Sequence, residues 1–235
     1  TALDHGINLF DTAKAYGLSE ERIGRYLSHR RNEFVLSTKV GYGIPGLPDW
    51  TFETIIAGVE RALSILQTDF IDIVHLHSCP LSVLQQGDVI EALAKAVEEG
   101  KIISAAYSGE NEELRFAIDN INFKSIQTSI NIFDQEDLNG TLQKAKERGM
   151  GVIAKRPSGN HPWKYKTQPS GSYAGDYWIR MKKMNIDFGD DWNEFAFSTC
   201  GTTAFCKPAN RGVPQNIILT IHHTLDIRLQ ILRFI

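Results

Sequence analysis

Between residues 7 and 158, short β-branched or apolar runs alternate with segments of helical period, and that alternation confines the chain to parallel strands joined by crossover helices. The apolar runs predict strands over residues 7–11, 34–40, 70–77, 102–107, 125–132 and 151–155. Helical periodicity falls between them, over residues 19–29, 52–66, 88–98, 112–120 and 136–148. The punctuation agrees with this reading. Ser19 followed by Glu20 and Glu21 suits a helix N-terminus, and Gly100 and Gly149 stand where C-terminal caps belong. Strands spaced in this way pair in parallel through right-handed connections. Periodicity alone leaves two folds open, a doubly wound sheet and a closed barrel.

The polar residues at the strand ends decide between them. In a β/α barrel the reactive groups sit where strands end and βα loops begin. Asp11 closes the first visible strand, Lys39 nearly closes the second, and His77 closes the third. Tyr16 follows in the loop after Asp11. A nucleotide-binding doubly wound sheet would place a glycine-rich turn after its first strand. This strand runs instead into DTAKAYG. The expected fold class is therefore α/β, a (β/α)8 TIM barrel. Of the two histidines on one face of the third strand, His75 lies two residues before the end and is expected in the core, while His77 is at the end.

After residue 158 the pattern changes. Residues 158–175 form a polar loop rich in Gly, Pro and Ser, and residues 173–184 and 192–197 suit short helices. From Ser198 onward the alternation fails, although residues 224–235 alternate in a strand-like way. The expected division is a partial barrel over residues 1–197 and an atypical C-terminal tail over 198–235. With 235 residues, a formal net charge of −3 and no basic run, the chain offers nucleic acid no footprint. No apolar stretch approaches the roughly 18 residues of a membrane span. The three cysteines, Cys79, Cys200 and Cys206, follow no disulfide or zinc spacing, so no metal is expected and a reducing, cytoplasmic setting is.

The segments GINLFDTAKAYG (6–17), STKVG (37–41), FIDIVHLH (70–77), GKIISAAYSGEN (100–111) and GVIAKRPSGN (151–160), with Gln127 between the last two, occur in the order and spacing of one known family. Over roughly residues 1–197 the chain resembles the aldo-keto reductases. The resemblance implies strands 2 to 7 of the barrel, with the first strand and a recognisable eighth lacking. It implies a catalytic tetrad of Asp11, Tyr16, Lys39 and His77 acting on a small-molecule carbonyl substrate, an aldehyde or a ketone. It also implies that Ser108 and Gln127 hold the nicotinamide carboxamide of NADP(H), with NAD(H) left open. Lys155 occupies the place where an aromatic ring usually covers the nicotinamide, and Arg156 is the candidate for a cofactor phosphate. The family's Ser-Asn pair is here Ser108–Gly109, which removes one expected contact.

The chemistry such a tetrad needs is consistent with these residue types. Carbonyl oxygen must receive a proton as hydride reaches carbon, and a free phenol has a pKa of about 10, too high for easy transfer. A neighbouring cation lowers that barrier. Each residue also has a plainer use: a helix cap for Asp11, packing for Tyr16, a solvated cation for Lys39, a surface salt bridge for Arg156. Substrate choice is expected in the loops 41–50, 79–87 and 158–175, with Trp50, Trp163 and Tyr165 as pocket walls.

Two expectations concern the ends. TALDHG reads as the end of a helix, and the tail contains nothing like the segment that holds the adenosine phosphate, as if the reading frame changed near Ser198. A chain lacking those contacts is expected to bind NADPH poorly and to be nearly inactive. The second reading is accordingly a catalytically impaired relative serving as a binding or subunit protein; oligomeric state is left open. A third, another β/α-barrel enzyme such as a phosphate-binding isomerase, finds no glycine-rich phosphate loop after the strand at 151–155.

Overall fold

Each strand of the first 127 residues pairs in parallel with the next in sequence, so the strand ends that carry polar residues are brought side by side. The structure is a computed structural model, and it describes residues 2–138, 140–185, 192, 193, 196 and 217–220. These residues fall into two units, one up to Gln127 and one from Thr128 onward.

In the first unit β1 (Leu9–Asp11), β2 (Val35–Val40), β3 (Ile71–His77), β4 (Ile102–Ser108) and the start of β5 (Ser125–Ser129) lie in sequence order. The helices between them are α1 (Ser19–Leu27), α2 (Phe52–Leu66), α3 (Leu81–Gln86), α4 (Asp88–Glu98) and α5 (Asn111–Asp119). The register pairs Asp11 with Ser37, Lys39 with His75, His77 with Ser108, and Ser108 with Gln127. Alternation does the rest: along β2, Leu36 and Thr38 face the helices while Ser37 and Lys39 face the other way. Thr38 accordingly donates to Glu20 of α1 over 2.6 Å, and Glu20 also meets Arg61 of α2 at 2.7 Å. Consecutive parallel strands with intervening helices are the repeat of a (β/α)8 barrel, and the fold is that barrel in incomplete form.

The opposite ends of β2 and β3 are fixed by Arg31. Its guanidinium donates to the carbonyls of Phe34 and Phe70 at 2.9 and 3.2 Å, to the Thr68 hydroxyl at 3.2 Å, and to Asp72. It also lies 4.2 Å from the centroid of the Phe70 ring. Asp72 in turn accepts from the Leu36 backbone N–H. One planar cation thereby satisfies carbonyls on two strand entrances, which a lysine could not do. Arg31→Met is expected to cost about 2–3 kcal/mol, because several charge-assisted hydrogen bonds go and Asp72 is left half-buried. Urea unfolding at neutral pH measures this, and a loss below about 0.5 kcal/mol would show that the cluster is dispensable.

The second unit holds the remainder of β5, then α6 (Thr141–Glu147), β6 (Gly151–Lys155), α7 (Tyr173–Met184) and β7 (Ile217–Thr220). β7 pairs in parallel with β6, Val152 beside Ile217 and Lys155 beside Thr220. The sequence reading placed no strand there; it looked to residues 224–235, which lie outside the described residues, as does the boundary at 197/198. Residues 173–184 form the expected helix. Of the short helix expected at 192–197, residues 192, 193 and 196 are helical and the others are outside the described residues.

Other differences are local. β5 ends at Ser129, not at 132, because Asn131 turns the chain by accepting at its side-chain oxygen from the backbone N–H groups of Phe133 and Asp134. The helix expected over 136–148 is a short 3-10 turn at Glu136–Leu138 followed by α6. The loop expected over 79–87 contains α3.

Candidate active site

Asp11 and Lys39 form an ion pair at 2.6 Å whose side chains are 0% and 1% exposed. Two charges so deep need further partners. Lys39 Nζ also donates to the Thr12 carbonyl at 2.8 Å, and the second oxygen of Asp11 accepts from Ser37 Oγ at 2.7 Å. Burial pulls the Lys39 ammonium below the ordinary lysine range, against the opposing pull of Asp11. The same ammonium lies 4.9 Å from the centroid of the Tyr16 ring. Tyr16 in turn meets the His77 ring edge-on, centroids 5.9 Å apart at 89°. All four tetrad candidates are therefore brought together.

Behind them the polar chain continues into the interior. His75 Nε2 lies 3.1 Å from Ser37 Oγ, so Asp11, Ser37 and His75 form a relay across three adjacent strands. Burial, with the Lys39 charge beside it, holds His75 down to about 3. His75 is the buried core histidine that the sequence reading expected. Its depressed value has a consequence for stability. The unfolded chain takes up a proton near the ordinary value of 6.5 and the folded chain does not, so stability is present above that value and is lost as pH falls towards 3. Between pH 7 and pH 5 the expected loss from this group is about 2 kcal/mol. Comparing urea unfolding of wild type and His75→Gln at the two pH values isolates it, and identical pH dependence in both would refute it.

Ser108 and Gln127, paired across β4 and β5, are both buried. Ser108 Oγ donates to Gln127 Oε1 at 2.9 Å, while Gln127 Nε2 has no partner among the described residues. An unpaired buried amide N–H is costly. A carboxamide fits what is left over: the Gln127 amide can donate to its carbonyl, and the Ser108 oxygen can accept from its nitrogen. Gly109, where the family carries Asn, has a physical cause. A Cβ there would lie 2.3 Å from the Tyr107 hydroxyl, and Tyr107 is itself buried and donates to the Cys79 carbonyl at 3.2 Å. The Tyr107 ring thus fills the room that a side chain at 109 would take.

In the second unit, Lys155 closes β6 and is buried. Arg156, in the left-handed region at φ 54, donates to Ser129 Oγ at 3.0 Å and lies 4.4 Å from the Tyr173 ring centroid. Trp163 stacks on Trp192 at 5.4 Å, and Tyr165 is exposed. The segment expected to lack adenosine-phosphate contacts begins at Ser198, and residues 198–216 are outside the described residues.

Two neighbours of the tetrad were not singled out from sequence. Ser37 stands two residues before Lys39 on the same strand face, a spacing that could have flagged it. Tyr42 lies in the loop after β2, and its hydroxyl is 2.8 Å from His77 Nδ1. No spacing rule points to that contact. Burial pushes the Cys79 thiol up to about 12, which disfavours its thiolate. Cys200 and Cys206 lie outside the described residues. Among the described residues no cluster of His, Cys, Asp and Glu could hold a metal ion, and no helix is long and apolar enough to cross a membrane.

Consecutive βα units with an Asp, Tyr, Lys and His gathered at the strand ends define a class of barrel protein, and comparison with known sequences names the family. The sequence model of the Aldo/keto reductase family matches residues 1–176, and the chain belongs to that family. It is 29% identical over 164 residues to L-galactose dehydrogenase of Arabidopsis thaliana, covering 65% of this chain and 51% of that protein. It is 32% identical over 170 residues to an aldo-keto reductase of Strobilurus tenacellus, covering 66% of this chain and 47% of that one. A protein of Arabidopsis thaliana described as a voltage-gated potassium channel subunit beta is 33% identical over 104 residues, 41% of this chain and 31% of that protein. The chain spans about half the length of the first two of these relatives. Among solved structures, an aldo-keto reductase of Bacillus halodurans in its holo form shares the fold, with a TM-score of 0.72 at 24% identity over 93% of this chain and 74% of that one. A Pseudomonas aeruginosa protein assigned to the aldo-keto reductases matches at 31% identity with a TM-score of 0.60, over 68% of this chain and 65% of that one.

Proposed function

We propose that this chain carries the site of an oxidoreductase that reduces an aldehyde or ketone to an alcohol, with Tyr16 as the general acid. The observation that carries the reading is the position of Lys39, ion-paired to buried Asp11 and close to the Tyr16 ring. A cation there favours the phenolate that remains once Tyr16 has given its proton to the carbonyl oxygen. Asp11 opposes the pull of burial on the ammonium, and Ser37 keeps Asp11 turned towards it. His77, beside Tyr16, would hydrogen-bond the same substrate oxygen and orient the carbonyl. A bound NADPH would supply the hydride taken up by the carbonyl carbon. Ser108 and Gln127 would hold its carboxamide, and the Gln127 amide, which has no partner among the described residues, supports that role. Lys155 and Arg156 remain proposed cofactor contacts on the resemblance alone. NADP(H) over NAD(H), and a cytoplasmic setting, belong to the same proposal.

A second reading, a subunit or binding protein without turnover, is favoured by the similarity to the protein described as a channel subunit. Absorbance of NADPH with a reactive aldehyde and the purified 235-residue chain separates the two. Turnover that depends on Tyr16 supports the reductase. Saturable NADPH binding without any turnover supports the second reading.

A further inference from the structure

The loop after β2 builds a support behind His77. Gly41 takes φ 144, and a Cβ on it would lie 2.1 Å from the Trp50 ring, so only glycine lets the indole cross the strand end. The Trp50 backbone N–H donates to the Gly41 carbonyl at 2.8 Å, which closes the loop on itself. Trp50 then meets the Tyr42 ring at 5.7 Å and 65°, and Tyr42 lies nearly parallel to His77, centroids 5.6 Å apart at 22°. Its hydroxyl is 2.8 Å from His77 Nδ1. Glycine, tryptophan and tyrosine thus form a continuous brace that ends on one nitrogen of one ring.

We propose that Tyr42 is a positioning residue that fixes His77 in the tautomer with its proton on Nε2, a role that rests on the reading of His77 as the donor to the substrate oxygen. A phenol is the better donor of the two groups and a neutral imidazole nitrogen the better acceptor, so the shared proton stays on Tyr42 and Nδ1 accepts. A neutral imidazole carries one proton, which must then sit on Nε2. That leaves Nε2 able to donate to a carbonyl oxygen, while Tyr16 supplies the transferable proton. The opposite tautomer would present a lone pair at Nε2 and repel the same oxygen. Tyr42 does not touch the reacting atoms; it acts through His77.

The test uses the whole chain with nitrogen-15 histidine, the His77 signals being assigned by their loss in His77→Gln. Long-range proton–nitrogen spectra at neutral pH are expected to show Nε2 protonated and Nδ1 bare in the wild type. In Tyr42→Phe, which keeps the ring and loses only the hydroxyl, they should shift to a mixture of tautomers, with the His75 signals unchanged as a check on the fold. In parallel, aldehyde reduction should fall about tenfold in kcat, with NADPH affinity by fluorescence titration unchanged. A wild-type spectrum with the proton on Nδ1, or an unchanged His77 spectrum in Tyr42→Phe, overturns the proposal whatever the activity. Expected spectra in a chain without turnover support the tautomer assignment and overturn the reading of the site instead.

Discussion

If the chain or its full-length form reduces aldehydes as proposed, Tyr16→Phe is expected to lower that turnover by roughly two to four powers of ten while leaving NADPH affinity nearly as it is, the range that loss of a positioned general acid produces. The separation follows from geometry. Tyr16 packs against His77 and beneath the Lys39 charge, and the ring that makes those contacts survives in phenylalanine. The proposed carboxamide partners, Ser108 and Gln127, lie on β4 and β5 and pair with each other. Under the proposed mechanism the substitution removes the transferable proton and keeps the ring. Wild-type rates in Tyr16→Phe would mean that another group protonates the oxygen, and His77 would become the first suspect. Equal loss of turnover and NADPH binding would place Tyr16 in the nucleotide site instead.

Asp11→Leu is expected to destabilise the fold by about 3–5 kcal/mol, the usual cost of stranding one member of a buried ion pair. Lys39 would keep the Thr12 carbonyl but lose its counter-charge while 1% exposed. Ser37 would lose its acceptor, and with it the reason for His75 to lie where it does. Substituting both members, Asp11→Leu with Lys39→Met, should restore much of the loss, because two apolar side chains carry no desolvation penalty. Urea unfolding of the two single variants and the double variant at pH 7 measures this as a double-mutant cycle. A double variant as unstable as the sum of the singles would show that the pair is not coupled. Restored stability in the double variant would mark the pair as a feature kept for the proposed chemistry at the expense of stability.

Much of this was legible in the sequence because strand periodicity is strict. A period of two puts Lys39 and Ser37 on one face of β2, and His75 and His77 on one face of β3, without any tertiary information. Asp11 and His77 end their strands, and alternating strands and helices bring such ends to one rim. So the fold class and the strand-end positions of Asp11, Lys39 and His77 could be read from residue order, while their grouping with Tyr16 as a tetrad is what the resemblance to the aldo-keto reductases implies. The loops carry no period. Nothing in YGIPGLPDW says that Trp50 folds back on Gly41, or that Tyr42 reaches His77 from the neighbouring strand's loop. The 4-residue strand β7 escaped for a related reason: IILT is too short to show alternation, and only its pairing with β6 makes it a strand.

The sequence by itself determined which residues share a strand, which face each side chain takes, and which strands follow one another, since these depend on backbone geometry within a few residues. Tertiary structure alone decided the contacts between segments far apart in the chain. The register that sets Lys39 beside His75, the hydrogen bond from Ser108 to Gln127, and the phenol at His77 are of this kind. Each depends on placing groups up to about forty residues apart in the chain to within about an ångström, and no local propensity encodes a distance across such a gap.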